Sequence, residues 1–435
     1  MKNKTIISVL VLFFVLTLTF TISAQENINL SMWTFVEAHA DYYQTKVEEF
    51  NEQSDKYNIN LQTEVYPYQE MHDQLQIAFQ TGVEVPDLVD IEIRYFSNYT
   101  SMDEDDIPLI EISDLIDNHK EHIIEERLSP YSKGDQIYGV PTHLGAMVMY
   151  YNKDLLDEAG YSADDIETWE DFREIGKEVT KDTDDDGEND QYMLVLQTAD
   201  RFDFHAVTRQ FGSNVFDKDG NVVIDREENV KAWEMMQDFI FEDEIAATAP
   251  GGDIESSSFY EDMSNGKFAA VMAPQWYTIR MTEFMPDLEG KIQIRPLPRH
   301  EDGGTRSGMG GGTGTAITEY TDESKVEAAK EFLDFAKLTY DANVSIWRDF
   351  GFDPFRTDVY EDEELYEPLP YFDDEVVMET ILELVENEEI QPLYVTDQFT
   401  RADDLIEEFL LPATLTDGED VRTSLEDLAE RLKSE

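Results

Sequence analysis

Between residues 28 and 92 the chain alternates strand and helix patterns so closely that few folds remain open to it. "INLSMWTF" (28–35) has strand character, and 39–54 repeats Tyr42, Tyr43, Val47 and Phe50 at helical spacing. "YNINLQTEVY" (57–66) alternates as a strand, 69–80 sets Met71, Leu75 and Phe79 on one helical face, and "PDLVDIE" (86–92) is a buried strand. Strand, helix, strand, helix, strand in short succession calls for a parallel, doubly wound sheet. Ligands of such sheets sit beyond the carboxyl ends of the strands. The segments after Phe35, after Tyr66 and after Ile91 are therefore candidate ligand loops.

Ahead of this pattern, Lys2 and Lys4 precede an apolar run from Ile6 to Phe20, and "TISA" precedes Gln25. Residues 1–24 read as a cleavable signal peptide. The apolar run falls short of the ~20 residues that a spanning helix needs. No cysteine follows it, so a lipid anchor is not expected, and the reading is a soluble protein in a periplasm or outside the cell. Removing 24 of the 435 residues leaves 411, too many for one hydrophobic core and enough for two domains.

Composition excludes several classes. The chain carries 97 Asp+Glu against 32 Lys+Arg, a formal net charge of −65, which leaves no basic patch for nucleic acid. The carboxylates read as a solvated, salt-screened coat of the halophilic acidic kind. Cysteine is absent, which removes disulfides, thiol nucleophiles and thiolate metal sites.

Further along, "YGVPTHLGAMVMYYNKDLLDEAGY" (138–161) gives two extended runs around Pro141 and Gly145, then a helix. "TWEDFREIGKEVTK" (168–181) is a helix with Thr168 as N-cap and Asp171 three residues on. Next comes "KDTDDDGEND" (181–190). Asp182, Asp184, Asp186 and Gly187 match the start of a calcium loop, Glu188 offers a carbonyl and Asp190 falls at the ninth position. Met193 stands where the twelfth-position glutamate belongs. The stretch is thus a candidate structural calcium site or a solvated acidic turn; no other cofactor is called for. A strand at 191–197, helices near 226–241 and 255–265, a strand at 267–273, a glycine-rich run at 307–317 and a mostly helical last third complete the chain.

Four stretches in this order resemble the extracellular solute-binding proteins of carbohydrate ABC transporters (family 1), the group that includes maltose-binding protein. They are "YGVPTHLGAMVMYYNKDLLDEAG" with "TWEDF" behind it, "NGKFAAVMAPQWY" (265–277), "GGGTGTAITEYTDESKVEAAKEFLDF" (310–335) and the closing "LLPATLTDGEDVRTSLEDLAERL". The resemblance implies an α/β, two-lobed periplasmic-binding-protein fold. Each lobe would be a doubly wound mixed sheet flanked by helices, with the ligand cleft between lobes. Crossings near Pro141 to Gly145, near Pro274 and near the end of helix 322–339 would assign 25–142 plus 274–338 to the N-terminal lobe. Residues 143–273 plus 339–435 would form the C-terminal lobe. The implied activity is a receptor that closes over its solute by a hinge motion and delivers it to a membrane permease. It would act as a monomer and not as an enzyme.

A neutral sugar stacks its C–H faces on aromatic rings and offers hydroxyls to carboxylates, amides and arginine. Trp276, after "APQ", is the leading stacking candidate, with Tyr277 beside it. Trp33, Glu37 and His39 follow the first strand, and Tyr68 the second. Glu92, Arg94 and Tyr95 end the third, and Arg201, Phe202 and Phe204 offer an arginine and aromatics from the second lobe. Gly311 and Gly312 let backbone approach a ligand or the other lobe. Trp169, Trp233 and Trp347 read as packing residues.

Two other readings keep part of this picture. The same fold could hold a polyamine against aromatics and carboxylates, whereas an anion would need Arg94, Arg201 or Arg280 to gather locally. A secreted carbohydrate hydrolase is the other, but no G-x-S-x-G, H-E-x-x-H or P-loop motif occurs. His119 and His122, at i and i+3, lack a third metal ligand nearby.

Overall fold

The structure is a computed structural model that describes residues 25–300 and 303–434. The expected signal peptide lies outside the described residues. Ten strands build two sheets: β1 (Glu26–Thr34), β2 (Tyr57–Val65), β3 (Leu88–Glu92), β4 (Val140–Pro141), β5 (Met147–Asn152), β6 (Tyr192–Leu196), β7 (Ala246–Thr248), β8 (Phe268–Pro274), β9 (Ile292–Arg295) and β10 (Thr313–Ile317).

The first sheet has the order β2-β1-β3-β10-β4 and the second β7-β6-β8-β5-β9. β1 pairs in parallel with β2 and β3, with Leu30 opposite Leu61 and Trp33 opposite Val89. In each sheet the fourth strand runs against its neighbours: β10 is antiparallel to β3 and β4, and β5 to β8 and β9. Each of these reversed strands enters from the opposite lobe. A chain arriving across the hinge meets the sheet from its far end, so antiparallel pairing is the short way in. Both sheets are therefore mixed and helix-flanked, as expected.

The strand pairing moves the second crossing. Pro274 ends β8 within the second sheet, and Ile292–Arg295 pairs with Met147–Asn152 of the same sheet. The intervening helix Thr278–Phe284 buries Met281 beside Met285, Leu288 and Tyr150. Residues 275–295 thus belong to the second lobe, and the chain returns to the first only between Arg295 and Thr313. The proline ends a strand here without sending the chain across, because the apolar Ile292 and Ile294 bring it back to its own sheet.

Where the lobes join, the extended segments lie side by side. Gly310 N–H donates to Gly145 O at 2.7 Å, and Ala146 bridges Met309. Asp353, wholly buried, clips this pair: its carboxylate accepts Gly145 N–H at 3.0 Å and Ala146 N–H at 2.9 Å. Its own carbonyl accepts Leu144 N–H at 2.8 Å. Arg127, also wholly buried, donates from Nε to His143 O at 2.7 Å and from Nη1 to Gly311 O at 3.1 Å. Gly312 has φ +132°, and a Cβ there would overlap the Arg127 guanidinium. The glycines expected to admit a ligand thus admit an arginine and, at Gly311, the ring of Phe202.

Candidate functional site

The site grows from the carboxyl end of β3. Glu92 is its last residue and also the N-cap of the helix Ile93–Thr100, accepting Arg94 N–H at 2.8 Å. This carboxylate is therefore held at the strand-to-helix switch. His72 fixes the same corner from below: its Nε2 accepts Glu92 N–H at 3.1 Å while Nδ1–H donates to Tyr68 O at 2.8 Å. Burial pushes His72 down to about 4, so the ring is neutral at pH 7, as an accepting Nε2 requires. Tyr95 stacks on His72 at 4.1 Å, and Tyr68 stands edge-on to both Phe35 and Tyr95. Tyr68 donates to Glu92 at 3.3 Å. Burial raises both the Tyr68 phenol and the Glu92 carboxyl above their ordinary values.

Arg201 faces this corner from the second lobe. It follows β6 and precedes the helix Phe202–Gln210. Its guanidinium reaches Asp403 at 3.1 Å, Glu92 at 3.4 Å and Glu407 at 3.4 Å, with the Phe202 ring 4.7 Å away. Arg94 completes a second pairing across the lobes. Its Nη1 donates to both oxygens of Glu407, at 3.1 and 2.9 Å, and Nη2 pairs with Asp404. Thr400 Oγ1 donates to Arg94 O at 2.7 Å. The C-terminal helical segment that supplies Asp403, Asp404 and Glu407 stacks Phe399 on His205 at 5.8 Å, and Thr414 beyond it accepts Trp233 Nε1–H at 2.8 Å. Two arginines, one from each lobe, thus share one set of carboxylates.

Trp276 stands at the centre of the junction. It begins the turn after β8, is partly exposed, and packs against the apolar clusters of both lobes. Its Nε1–H donates to Gly310 O at 3.2 Å, and its ring meets Phe202 edge-on at 6.1 Å. Further along the same segment a cavity of about 370 Å³ opens between Ala38 of the first lobe, Thr278 and Ile279 of the second, and Trp347 and Gly351; Trp276, Glu92, Arg94, Arg201 and Phe202 do not line it. Rings, two guanidiniums and carboxylates are the kinds of group that hold a polyhydroxylated solute by stacking and bidentate hydrogen bonds.

The expected site residues divide as follows. Tyr68, Glu92, Arg94, Tyr95, Arg201, Phe202, Trp276 and Gly311 gather where the lobes meet. Glu37 is exposed at the start of the helix Glu37–Gln53. His39 is buried, bound to Asp90 at 3.0 Å, with Phe352 edge-on at 5.3 Å. Trp33 turns inward onto Tyr66 at 5.1 Å. Tyr277 is wholly buried with its hydroxyl on Ile254 O at 2.5 Å, and Phe204 is wholly buried against Trp233 at 5.1 Å. Gly312 serves Arg127. Tyr277 and Phe204 thus point into the core of the second lobe, while Trp33 is taken up by Tyr66 and Gly312 by Arg127. Tyr277 and Gly312 are each one residue from Trp276 and Gly311, which face the junction, and Phe204 is two residues, roughly 200° of helix, from Phe202.

Sequence reasoning missed His72, Phe352, Asp403 and Glu407. The two acids lie one helical turn apart, a spacing too common among 97 acids to carry a signal.

The helix Phe202–Gln210 also carries a buried acid without a cation. Asp203 accepts Gln197 N–H at 2.9 Å, and burial pushes its carboxyl up to about 7. A carboxyl raised in the folded state binds its proton there first, so its ionisation costs stability as pH rises through about 4 to 7. Asp203→Asn is expected to raise the melting temperature at pH 8 and to change it far less at pH 5. Equal shifts at both pH values would contradict a protonated Asp203.

In the aspartate loop, oxygens of Asp182, Asp184 and Asp190 lie within 4.8 Å of one another. Asp182 accepts Gly187 N–H at 2.7 Å and Asp186 N–H at 3.2 Å; Asp186 in turn accepts Glu188 N–H at 2.9 Å. Those N–H bonds draw the Asp182 carboxyl below its usual range.

Comparison with known proteins gives a consistent picture. Residues 37–339 match the family described as bacterial extracellular solute-binding protein. An arabinooligosaccharide-binding protein of Bacillus subtilis (strain 168) is 38% identical over 386 residues, 88% of this chain and 86% of that protein. A protein of the same name from Halalkalibacterium halodurans is 38% identical over 362 residues, 82% of this chain and 78% of that one. Among solved structures, maltose-bound T. maritima MalE3 superposes with TM-score 0.73 at 23% identity, covering 93% of this chain and 99% of that one. An ABC transporter associated binding protein from B. animalis subsp. lactis, in complex with beta-1,6-galactobiose, does so at 0.74 and 18%, covering 93% and 96%.

Proposed function

The chain belongs to the bacterial extracellular solute-binding protein family, and from that premise we propose that it is the receptor of a sugar ABC importer and encloses a neutral oligosaccharide between its lobes. The observation that carries this reading is the lobe junction itself, where Tyr68, Phe202 and Trp276 present rings beside Glu92, Arg94 and Arg201. The relatives named for arabinooligosaccharide binding support that ligand class, and a polyamine has no comparable support. The protein binds its ligand and releases it unchanged to a membrane permease, as a monomer that requires no cofactor. Among the described residues no helix is long and apolar enough to cross a membrane. Export through a signal peptide at 1–24 accounts for its place outside the cytoplasm.

The Asp182, Asp184, Asp186, Glu188 and Asp190 loop is part of the same proposal, as a calcium site. It lies between the helix Trp169–Val179 and β6, so bound calcium would brace the second lobe.

A thermal-melt screen tests both. A specific ligand raises the melting temperature with concentration, by about 2.7 kcal/mol of stability at one hundred times its dissociation constant. Arabinooligosaccharides are expected to do so and spermidine not. Repeating the melts with calcium, on the wild type and Asp184→Ala, is expected to stabilise only the wild type. A screen in which no saccharide shifts the melt would count against the receptor reading.

A further inference from the structure

The helix that follows Trp276 has three faces. Tyr277 and Met281 enter the core of the second lobe, while Thr278, Ile279 and Thr282 line the cavity. The remaining face of the helix Thr278–Phe284 carries Arg280 and Phe284 at i and i+4, with Trp276 in the turn just before it. Phe284 is 44% exposed, unusual for so large an apolar ring. It lies flat against Tyr260 of the helix Ser257–Ser264, with ring centres 5.0 Å apart and planes 3° from parallel. Between this pair and Trp276, Arg280 is held by Glu255 at 3.5 Å. Ala199 N–H donates to Gly252 O at 2.9 Å, and the Ser256 hydroxyl donates to Asp253 O at 3.1 Å. Residues 252–256 thus tie the turn before Arg201 to the helix that carries Tyr260.

We propose that Arg280 and Phe284, with Glu255 and Tyr260, form an outer extension of the ligand groove past Trp276 that takes the sugar units projecting beyond the closed lobes. The inference rests on the oligosaccharide reading above and adds a chain-length preference to it. A ring plane open to solvent stacks on the C–H face of a sugar. The Arg280–Glu255 pair supplies donors and acceptors at the right height for its hydroxyls. The turn and the helix Thr278–Phe284 together advance on the order of 12 Å from Trp276, room for further sugar units past it. The extension leads out along the second lobe only, so it neither competes with closure nor requires it.

The test is calorimetric titration of the full mature chain with arabinooligosaccharides of increasing length. Wild-type affinity is expected to rise with length beyond the shortest bound chain. Phe284→Ala is expected to remove about tenfold of that gain, the worth of one aromatic stack, and to leave the shortest ligand unaffected. Phe284→Tyr keeps the ring and is expected to keep the gain. Equal affinities of wild type and Phe284→Ala at every length, or an equal loss at every length, would overturn the outer extension while leaving the receptor reading intact. Failure of the wild type to bind any length would overturn both.

Discussion

Asp90→Ala is expected to cost about 3–5 kcal/mol of stability, the loss seen when one partner of a buried charged cluster is removed. Asp90 is wholly buried between β3 and β10. It accepts from Thr34 at 2.8 Å, Thr315 at 2.7 Å and Tyr43 at 3.1 Å, and pairs with His39 at 3.0 Å. Lys337 closes the cluster on Thr142 at 2.6 Å, Tyr43 at 3.1 Å and Thr315 at 2.5 Å. Burial alone would push the Asp90 carboxyl up, but His39, Lys337 and Thr315 hold it down at about 2. Burial also pushes the Lys337 ammonium down to about 7, Asp90 being the neighbour that opposes the drop. Removing the carboxylate strands the donors it satisfied. A carboxyl depressed by folding gives stability that is present above its unfolded value near 4 and is lost as pH falls through about 2. Urea unfolding at pH 7 measures the loss; a change below about 1 kcal/mol would mean that water or side-chain shifts replace the carboxylate.

Trp276→Ala is expected to weaken oligosaccharide binding by about thirtyfold or more, as removal of a central aromatic anchor does at about 2 kcal/mol. The ring is in contact with both lobes at once, so its loss removes ligand stacking and part of the closed interface together. Trp276→Phe retains stacking area and is expected to recover most of the affinity. Calorimetry on the two variants checks this, and a loss under threefold for the alanine variant would remove Trp276 from the site.

Much of this was legible in the chain. The β-α-β-α-β alternation of 28–92 gives the first sheet its β2-β1-β3 core, because period and turn spacing are local signals. The Thr168–Asp171 capping box forms as read, since a cap is decided within four residues. The second crossing was not legible: Pro274 is a local signal, whereas the pairing of β9 with β5 joins segments about 140 residues apart. Within the site, "which loop" was easier than "which side chain". The segments after β1, β3, β6 and β8 do converge, but the choice between Trp276 and Tyr277, or Phe202 and Phe204, rests on one or two steps of backbone rotation. Asp403 and Glu407 reach the junction from the far end of the chain, and nothing local marks them among so many acids.

The central claim is that the junction of the two lobes binds an oligosaccharide and does no chemistry on it. Calorimetric titration of the purified mature protein with an arabinooligosaccharide, followed by chromatography of the recovered sugar, tests it most directly. The account predicts one saturable site per chain and sugar recovered intact. An absence of binding heat, or shortened sugar in the recovered fraction, would contradict it.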